Sequence, residues 1–210
     1  RIKIMKIKIC GLNPARDVQL CIDLKVDFLG FVFYEKSPRN LNLEEIKKLQ
    51  DYKKKNSLFV AVTVDPSNEF IKKNILKNFD YIQLHGSETK ERVNEIKSMG
   101  LKVIKAIKVK NEADIENYKK YEEANLILFD TPGMEQSIKF PENLIAKLPK
   151  GERFAVAGSI SEHNIDNMIK LGVNFFDLSS SLESKFGQKD HLRIKNFMKK
   201  INNSNENTSV

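Results

Sequence analysis
The stretch Lys6-Ile7-Lys8-Ile9-Cys10-Gly11-Leu12-Asn13-Pro14 carries a strand, a turn and a helix start in immediate succession. Its first half alternates around β-branched residues, Gly11 offers turn chemistry, and Asn13-Pro14 supplies an N-cap with proline at the first helical position. The same grammar recurs along the chain. Short apolar runs fall at Lys6 to Cys10, Phe28 to Phe33, Leu58 to Val64, Tyr81 to Leu84, Lys102 to Ile107, Leu126 to Phe129, Phe154 to Ala157 and Phe175 to Leu178. Successive runs lie roughly 20 to 30 residues apart, the length of one strand, one helix and two short loops. Such alternation predicts an α/β protein with a parallel sheet, and eight units in 210 residues predict closure of that sheet.

Between the runs, Asp65-Pro66 repeats the cap-plus-proline signal, and Gly100 and Gly172 mark helix ends. In the first helix Val18, Cys21, Ile22 and Lys25 follow helical spacing, which places Cys21 on the packed face as a small structural hydrophobe. After Ile201 the sequence Asn202-Asn203-Ser204-Asn205-Glu206-Asn207-Thr208-Ser209 has no apolar face. One domain is expected over residues 1–201, with 202–210 a frayed tail.

Composition narrows the function classes. With 40% hydrophobic and 30% charged residues, no apolar run of membrane-spanning length and no secretory core, the chain reads as soluble and cytoplasmic. Cys10 and Cys21 lack metal-ligand spacing and read as free thiols in a reducing compartment. The formal charge is +8. Its lysines lie in groups such as Lys47-Lys48, Lys53-Lys54-Lys55, Lys72-Lys73 and Lys119-Lys120, on predicted helix faces without interleaved aromatics. That pattern argues for solvated helix surfaces and against nucleic acid as a partner, while a basic field suits an anionic metabolite.

Two polar residues close apolar strands, Cys10 after Ile7-Lys8-Ile9 and Asp130 after Leu126-Ile127-Leu128-Phe129. In parallel α/β folds sites are built at the carboxyl ends of strands, so a thiol and a carboxylate placed there suggest a base and an acid. Their needs are opposite. A base thiol must be partly ionised near neutral pH, with positive charge or N–H groups nearby. An acid carboxyl must keep its proton in an apolar pocket, to which Leu128 and Phe129 are candidates. Strand alternation puts Lys8 on the inward side with Cys10, where it would help hold the thiolate. His85 is the one histidine on the expected catalytic face, and with no second ligand at metal spacing a zinc site is rejected.

A wider set of strings then carries a resemblance. Lys8-Ile9-Cys10-Gly11-Leu12, Gly30-Phe31-Val32-Phe33-Tyr34-Glu35-Lys36-Ser37-Pro38-Arg39 and Gln83-Leu84-His85-Gly86 resemble, in order and spacing, the phosphoribosylanthranilate isomerase family. Leu128-Phe129-Asp130, Ala157-Gly158 and Asp177-Leu178-Ser179-Ser180-Ser181-Leu182-Glu183-Ser184, with Gly187, Lys189 and Asp190, resemble its later strand ends. The resemblance implies a single (β/α)8 TIM barrel that catalyses an Amadori rearrangement in tryptophan biosynthesis. N-(5-phosphoribosyl)anthranilate would become 1-(2-carboxyphenylamino)-1-deoxyribulose 5-phosphate, with Cys10 as general base, Asp130 as general acid and neither metal nor organic cofactor.

It further implies that Arg39 binds the anthranilate carboxylate, for which a guanidinium offers two parallel hydrogen bonds. Gly158, Ser159, Ser180 and Ser181 would form the phosphate site in the loops after strands seven and eight. Gln83 and Asp177, ending strands four and eight, would contact the aromatic or ribose portion. Either a monomer or a homodimer fits. The chain departs from the family where Gly-Gly becomes Gly158-Ser159 and Ser-Ser-Gly becomes Ser179-Ser180-Ser181. After strand six, a glycine-rich stretch is replaced by Glu135-Gln136-Ser137-Ile138-Lys139-Phe140-Pro141-Glu142, with glycine only at Gly133; Lys139 would offset the charge of Glu135. The altered loops motivate the alternative of a divergent sugar-phosphate barrel with another isomerase or epimerase activity, or a non-catalytic binding role.

Overall fold
The computed structural model describes residues 5–132 and 139–207. Eight parallel strands close in sequence order into a barrel. They are β1 Lys6–Cys10, β2 Phe28–Phe33, β3 Leu58–Thr63, β4 Tyr81–Leu84, β5 Lys102–Lys108, β6 Leu126–Asp130, β7 Phe154–Val156 and β8 Phe175–Leu178. Closure is made by β1 against β8, with Lys8 in register with Asp177. Each strand end falls within one residue of the apolar run read from sequence.

Alternation along the strands divides the apolar residues into two cores. Phe28, Val32, Val60, Val62, Tyr81, Leu128 and Phe175 point inward with small partners such as Ala106 and Ala155. Inside, Phe28 stacks on Phe175 at 5.0 Å between ring centroids and meets Tyr81 edge-on at 5.5 Å. Residues of opposite parity, including Ile7, Ile9, Leu29, Phe31, Phe59, Ile82 and Phe129, point outward into a larger core shared with the helices. Both strand faces are therefore dry, which is why β2 reads as the unbroken run Phe28-Leu29-Gly30-Phe31-Val32-Phe33.

The outer layer comprises α1 Pro14–Asp23, α2 Leu43–Lys48, α3 Asn68–Phe70, α4 Lys90–Ser98, α5 Glu112–Ile115, α6 Glu142–Ile145, α7 Ile165–Lys170 and α8 His191–Asn207. Asn13 caps α1 as its sequence implies, accepting a hydrogen bond from the Ala15 N–H, and Val18, Cys21 and Ile22 are buried. Gly100 and Gly172 follow α4 and α7 with φ of 97° and 92°, the left-handed geometry glycine allows at a helix end. After β8 a two-stranded hairpin, β9 Glu183–Lys185 and β10 Gln188–Lys189, is added before α8. No helix among the described residues is long and apolar enough to cross a membrane.

Three local expectations are corrected. Asp65 does not cap a helix: its φ is 45°, its carboxylate accepts from the Ser87 N–H, and Ser67 caps α3 instead. A turn held from the neighbouring loop has overridden the local cap signal. Lys25 lies beyond α1 with φ 59°, because the helix ends at Asp23. The last helix continues to Asn207 rather than fraying after Ile201, and Ser204 Oγ donates back to the Lys200 carbonyl at 3.0 Å. Residues 208–210 lie outside the described residues.

The outer core makes a direct stability prediction. Phe129 is fully buried, with ring centroids 6.1 Å from those of both Tyr118 and Phe154. Phe129→Ala should cost about 3–5 kcal/mol of unfolding free energy in a urea titration, the usual sum of lost transfer energy and residual cavity. A loss below about 1 kcal/mol would mean that the outer core can collapse around the gap.

Candidate active site at the carboxyl ends of the strands
All nine residues singled out in the sequence, Cys10, Arg39, Gln83, Asp130, Gly158, Ser159, Asp177, Ser180 and Ser181, line one cavity of about 330 Å³ at the carboxyl end of the barrel. Inward parity places Cys10, Gln83, Asp130 and Asp177 there, while Arg39 and the serines arrive on loops after β2, β7 and β8. The sequence reading did not assign roles to Tyr34, Lys108, Ser179 or Phe186, which also line it. These loop and strand-end residues carry no pattern in one sequence that separates them from ordinary surface positions.

Below the cavity floor Lys8 is buried and its Nζ donates to Asp177 Oδ2 at 2.8 Å. Burial alone would lower the Lys8 pKa, but Asp177 and Cys10 beside it more than offset this and hold the ammonium charged. Room for the arrangement is made by Gly30. A Cβ there would stand 3.1 Å from Cys10 Cα, 3.2 Å from its Sγ and 3.2 Å from Lys8 Nζ.

Cys10 is partly exposed to the cavity. Burial pushes its thiol up, Lys8 pulls it down, Asp177 pushes it up again and Lys189 pulls it down, with burial prevailing. Lys8 stands where alternation placed it and draws the thiol down, but its ammonium also pairs with Asp177 and burial outweighs it, so the thiol is held above its ordinary value rather than below it.

Asp130 accepts from the Thr131 N–H at 2.8 Å through Oδ1, and His85 Nε2 lies 3.2 Å from Oδ2. Of the apolar walls expected for it, Leu128 lines the cavity, whereas Phe129 packs outward. Asp177 Oδ1 and Gln83 Oε1 are buried acceptors with no hydrogen-bond partner among the described residues. An orphaned acceptor in a cavity wall is costly unless a ligand donates to it, so both mark places for hydroxyl or amine donors.

The loop after β7 keeps glycine-like geometry despite the serine, with φ of 110° at Gly158 and 45° at Ser159. Asn164 Nδ2 holds the strained turn through the Ser159 carbonyl at 2.9 Å. Ser159 Oγ and Ser181 Oγ are buried without partners among the described residues, leaving two hydroxyl donors. Gly133, Glu135, Gln136, Ser137 and Ile138 lie outside the described residues. Lys139 is exposed and stands 3.9 Å from Glu142.

Arg39 is already engaged. Its Nε and Nη2 donate to Glu183 of β9 at 2.6 and 2.8 Å, and Lys189 of β10 donates to the same carboxylate at 2.7 Å. Although burial pushes Glu183 up, Arg39, Lys189 and the Gly187 N–H bring its carboxyl down to about 2. Among the described residues no group of three or more His, Cys, Asp or Glu side chains could hold a metal ion.

The buried pair below the cavity can be tested by a double mutant. Lys8→Met should cost about 3–5 kcal/mol of stability, because it leaves Asp177 buried and uncompensated. Adding Asp177→Leu should recover most of that loss in the same denaturation experiment, and additive losses would show that the two side chains do not act as a pair.

A sequence profile described as N-(5′-phosphoribosyl)anthranilate (PRA) isomerase matches residues 7–200. The N-(5′-phosphoribosyl)anthranilate isomerase of Rhodopseudomonas palustris is 34% identical over 212 residues, covering 95% of this chain and 97% of that one. A crystal structure of phosphoribosyl anthranilate isomerase in complex with reduced 1-(o-carboxyphenylamino)-1-deoxyribulose 5-phosphate aligns with a TM-score of 0.82 at 29% identity, covering 95% of this chain and 100% of that one. Monomers generated from the dimeric Thermotoga maritima enzyme align with a TM-score of 0.81 at 28% identity, with the same coverage.

Proposed function
Given that the chain belongs to the N-(5′-phosphoribosyl)anthranilate isomerase family, we propose that Cys10 and Asp130 are the base and acid of its reaction. The protein is an isomerase of tryptophan biosynthesis and converts N-(5′-phosphoribosyl)anthranilate to 1-(2-carboxyphenylamino)-1-deoxyribulose 5-phosphate. The observation that carries the assignment is that a thiol on β1 and a carboxyl on β6, distant in sequence, both face one cavity.

Each then performs one proton transfer. Asp130 gives its proton to the furanose ring oxygen as the bond from that oxygen to the anomeric carbon breaks, and the nitrogen lone pair completes an iminium. The Cys10 thiolate takes the proton from the adjacent sugar carbon. Electrons of that C–H bond form a carbon–carbon double bond and neutralise the iminium, and the resulting enol tautomerises to the ketone. Asp130 ends as carboxylate and Cys10 as thiol, and proton exchange with solvent restores both.

The orphaned acceptors Asp177 Oδ1 and Gln83 Oε1 suit donors on the ribose or the anthranilate nitrogen. Gly158, Ser159, Ser180 and Ser181 are assigned to the phosphate, supported by the two unpartnered hydroxyls and the turn geometry. Arg39 is assigned to the anthranilate carboxylate. The partner in this reading is a small anionic sugar phosphate, not nucleic acid or a membrane, and the barrel acts as a monomer or homodimer. Free thiols at Cys10 and Cys21 support a cytoplasmic setting.

Substrate generated in situ and followed by loss of anthranilate-type fluorescence tests the assignment. Cys10→Ala and Asp130→Asn should each lower turnover by about 10²-fold or more with the fold intact. Turnover near that of the unaltered protein in either variant would remove that residue from the chemistry. Because burial raises the Cys10 thiol, its reactive form grows as pH rises. The rate of Cys10 alkylation by iodoacetamide, absent in Cys10→Ala, should therefore climb through the alkaline range, and a flat profile there would contradict a thiol raised by burial.

A further inference from the structure
Arg39 reaches the cavity wall with one of its edges already taken. A guanidinium offers two forked edges to a carboxylate, Nε with Nη2 and Nη1 with Nη2. Glu183 holds the first through both oxygens, in a pair whose side chains are only 11% and 3% exposed. No hydrogen bond of Arg39 Nη1 occurs among the described residues.

Glu183 is itself fixed from three directions. Besides Arg39, it accepts from Lys189 Nζ at 2.7 Å and from the Gly187 N–H at 3.1 Å. Gly187, with φ 80°, brings the hairpin backbone so close to the Arg39 loop that a Cβ there would lie 2.8 Å from the Pro38 carbonyl oxygen. The Phe186 ring covers the guanidinium from 5.1 Å. Two cations and one anion leave this cluster with one net positive charge, matched by one further carboxylate. Swinging Arg39 away from Glu183 would break two short charge-assisted bonds in a dry setting, so a second carboxylate is better accommodated on the open edge than in exchange for the first.

We propose that Glu183 is a positioning residue for the substrate's aryl carboxylate, holding Arg39 by its Nε–Nη2 edge so that the Nη1–Nη2 edge receives the ligand. This rests on the assignment of Arg39 to that carboxylate. It gives the β9–β10 hairpin a role in substrate selection distinct from phosphate binding and from the proton transfers.

The test compares two ligands by calorimetry, reduced 1-(o-carboxyphenylamino)-1-deoxyribulose 5-phosphate and its analogue lacking the ring carboxylate. Glu183→Gln should weaken the carboxylated ligand by about tenfold or more, leave the decarboxylated one within about threefold, and raise KM more than it lowers kcat. Glu183→Asp should recover part of the loss. Retained binding of the decarboxylated ligand also reports a folded site. Equal weakening of both ligands would reduce Glu183 to a structural support, and unchanged or tighter binding of the carboxylated ligand would show it idle or competing; either result overturns the proposal. Arg39→Met separates the two assignments. If it spares the carboxylated ligand, the Arg39 reading fails and this inference with it; if it weakens that ligand while Glu183→Gln does not, only the role of Glu183 fails.

Discussion
The ion pair between Lys8 and Asp177 joins the first strand to the last at the seam where the barrel closes. Taking both charges out of water is expensive, and their attraction repays that cost only in good geometry, so the pair is poor evidence for extra stability. What it does is restrict the alternatives. A slip of one residue in the β1–β8 register would turn one partner outward and strand the other in the dry core. The same ammonium lies beside Cys10, so the contact that fixes the seam also sets the electrostatics of the thiol.

A second buried cluster organises the loops above that seam. Arg39 comes from the segment after β2 and Glu183 and Lys189 from the hairpin after β8, and together they fasten a mobile class of structure to the rigid barrel. Neutral groups also face the cavity: the turn at Gly158-Ser159 and the hydroxyls of Ser159 and Ser181. The cavity thus brings a guanidinium and uncharged hydroxyl donors into one lining, the complement of a substrate that carries both a carboxylate and a phosphate.

Strand positions were legible because both of their signals are local: β-branched runs and the turn residues that bound them. Inward placement of Lys8, Cys10, Asp130 and Asp177 followed from the period of two once the strands were placed. Local signals failed where a neighbouring segment supplied a better partner. Asp65 was drawn into a turn by Ser87 and Glu88 instead of capping a helix, and the polar residues after Ile201 stayed helical as an extension of α8, whose earlier residues Ile194, Phe197 and Met198 are anchored in the outer core. Glu183 stood in the sequence beside Ser184 as part of a recognisable string, yet nothing local tied it to Arg39.

By itself, then, the sequence determined the order of strands and helices and the alternation that decides which side chains look inward, since each depends on neighbours a few residues away, while the number of strand runs foretold a closed sheet. Only the tertiary structure decided which charges meet. Lys8 and Asp177 are 169 positions apart and Arg39 and Glu183 are 144 apart. Their pairing depends on the seam and the hairpin bringing remote segments within hydrogen-bond range, where burial makes one partner mandatory and leaves the choice to geometry.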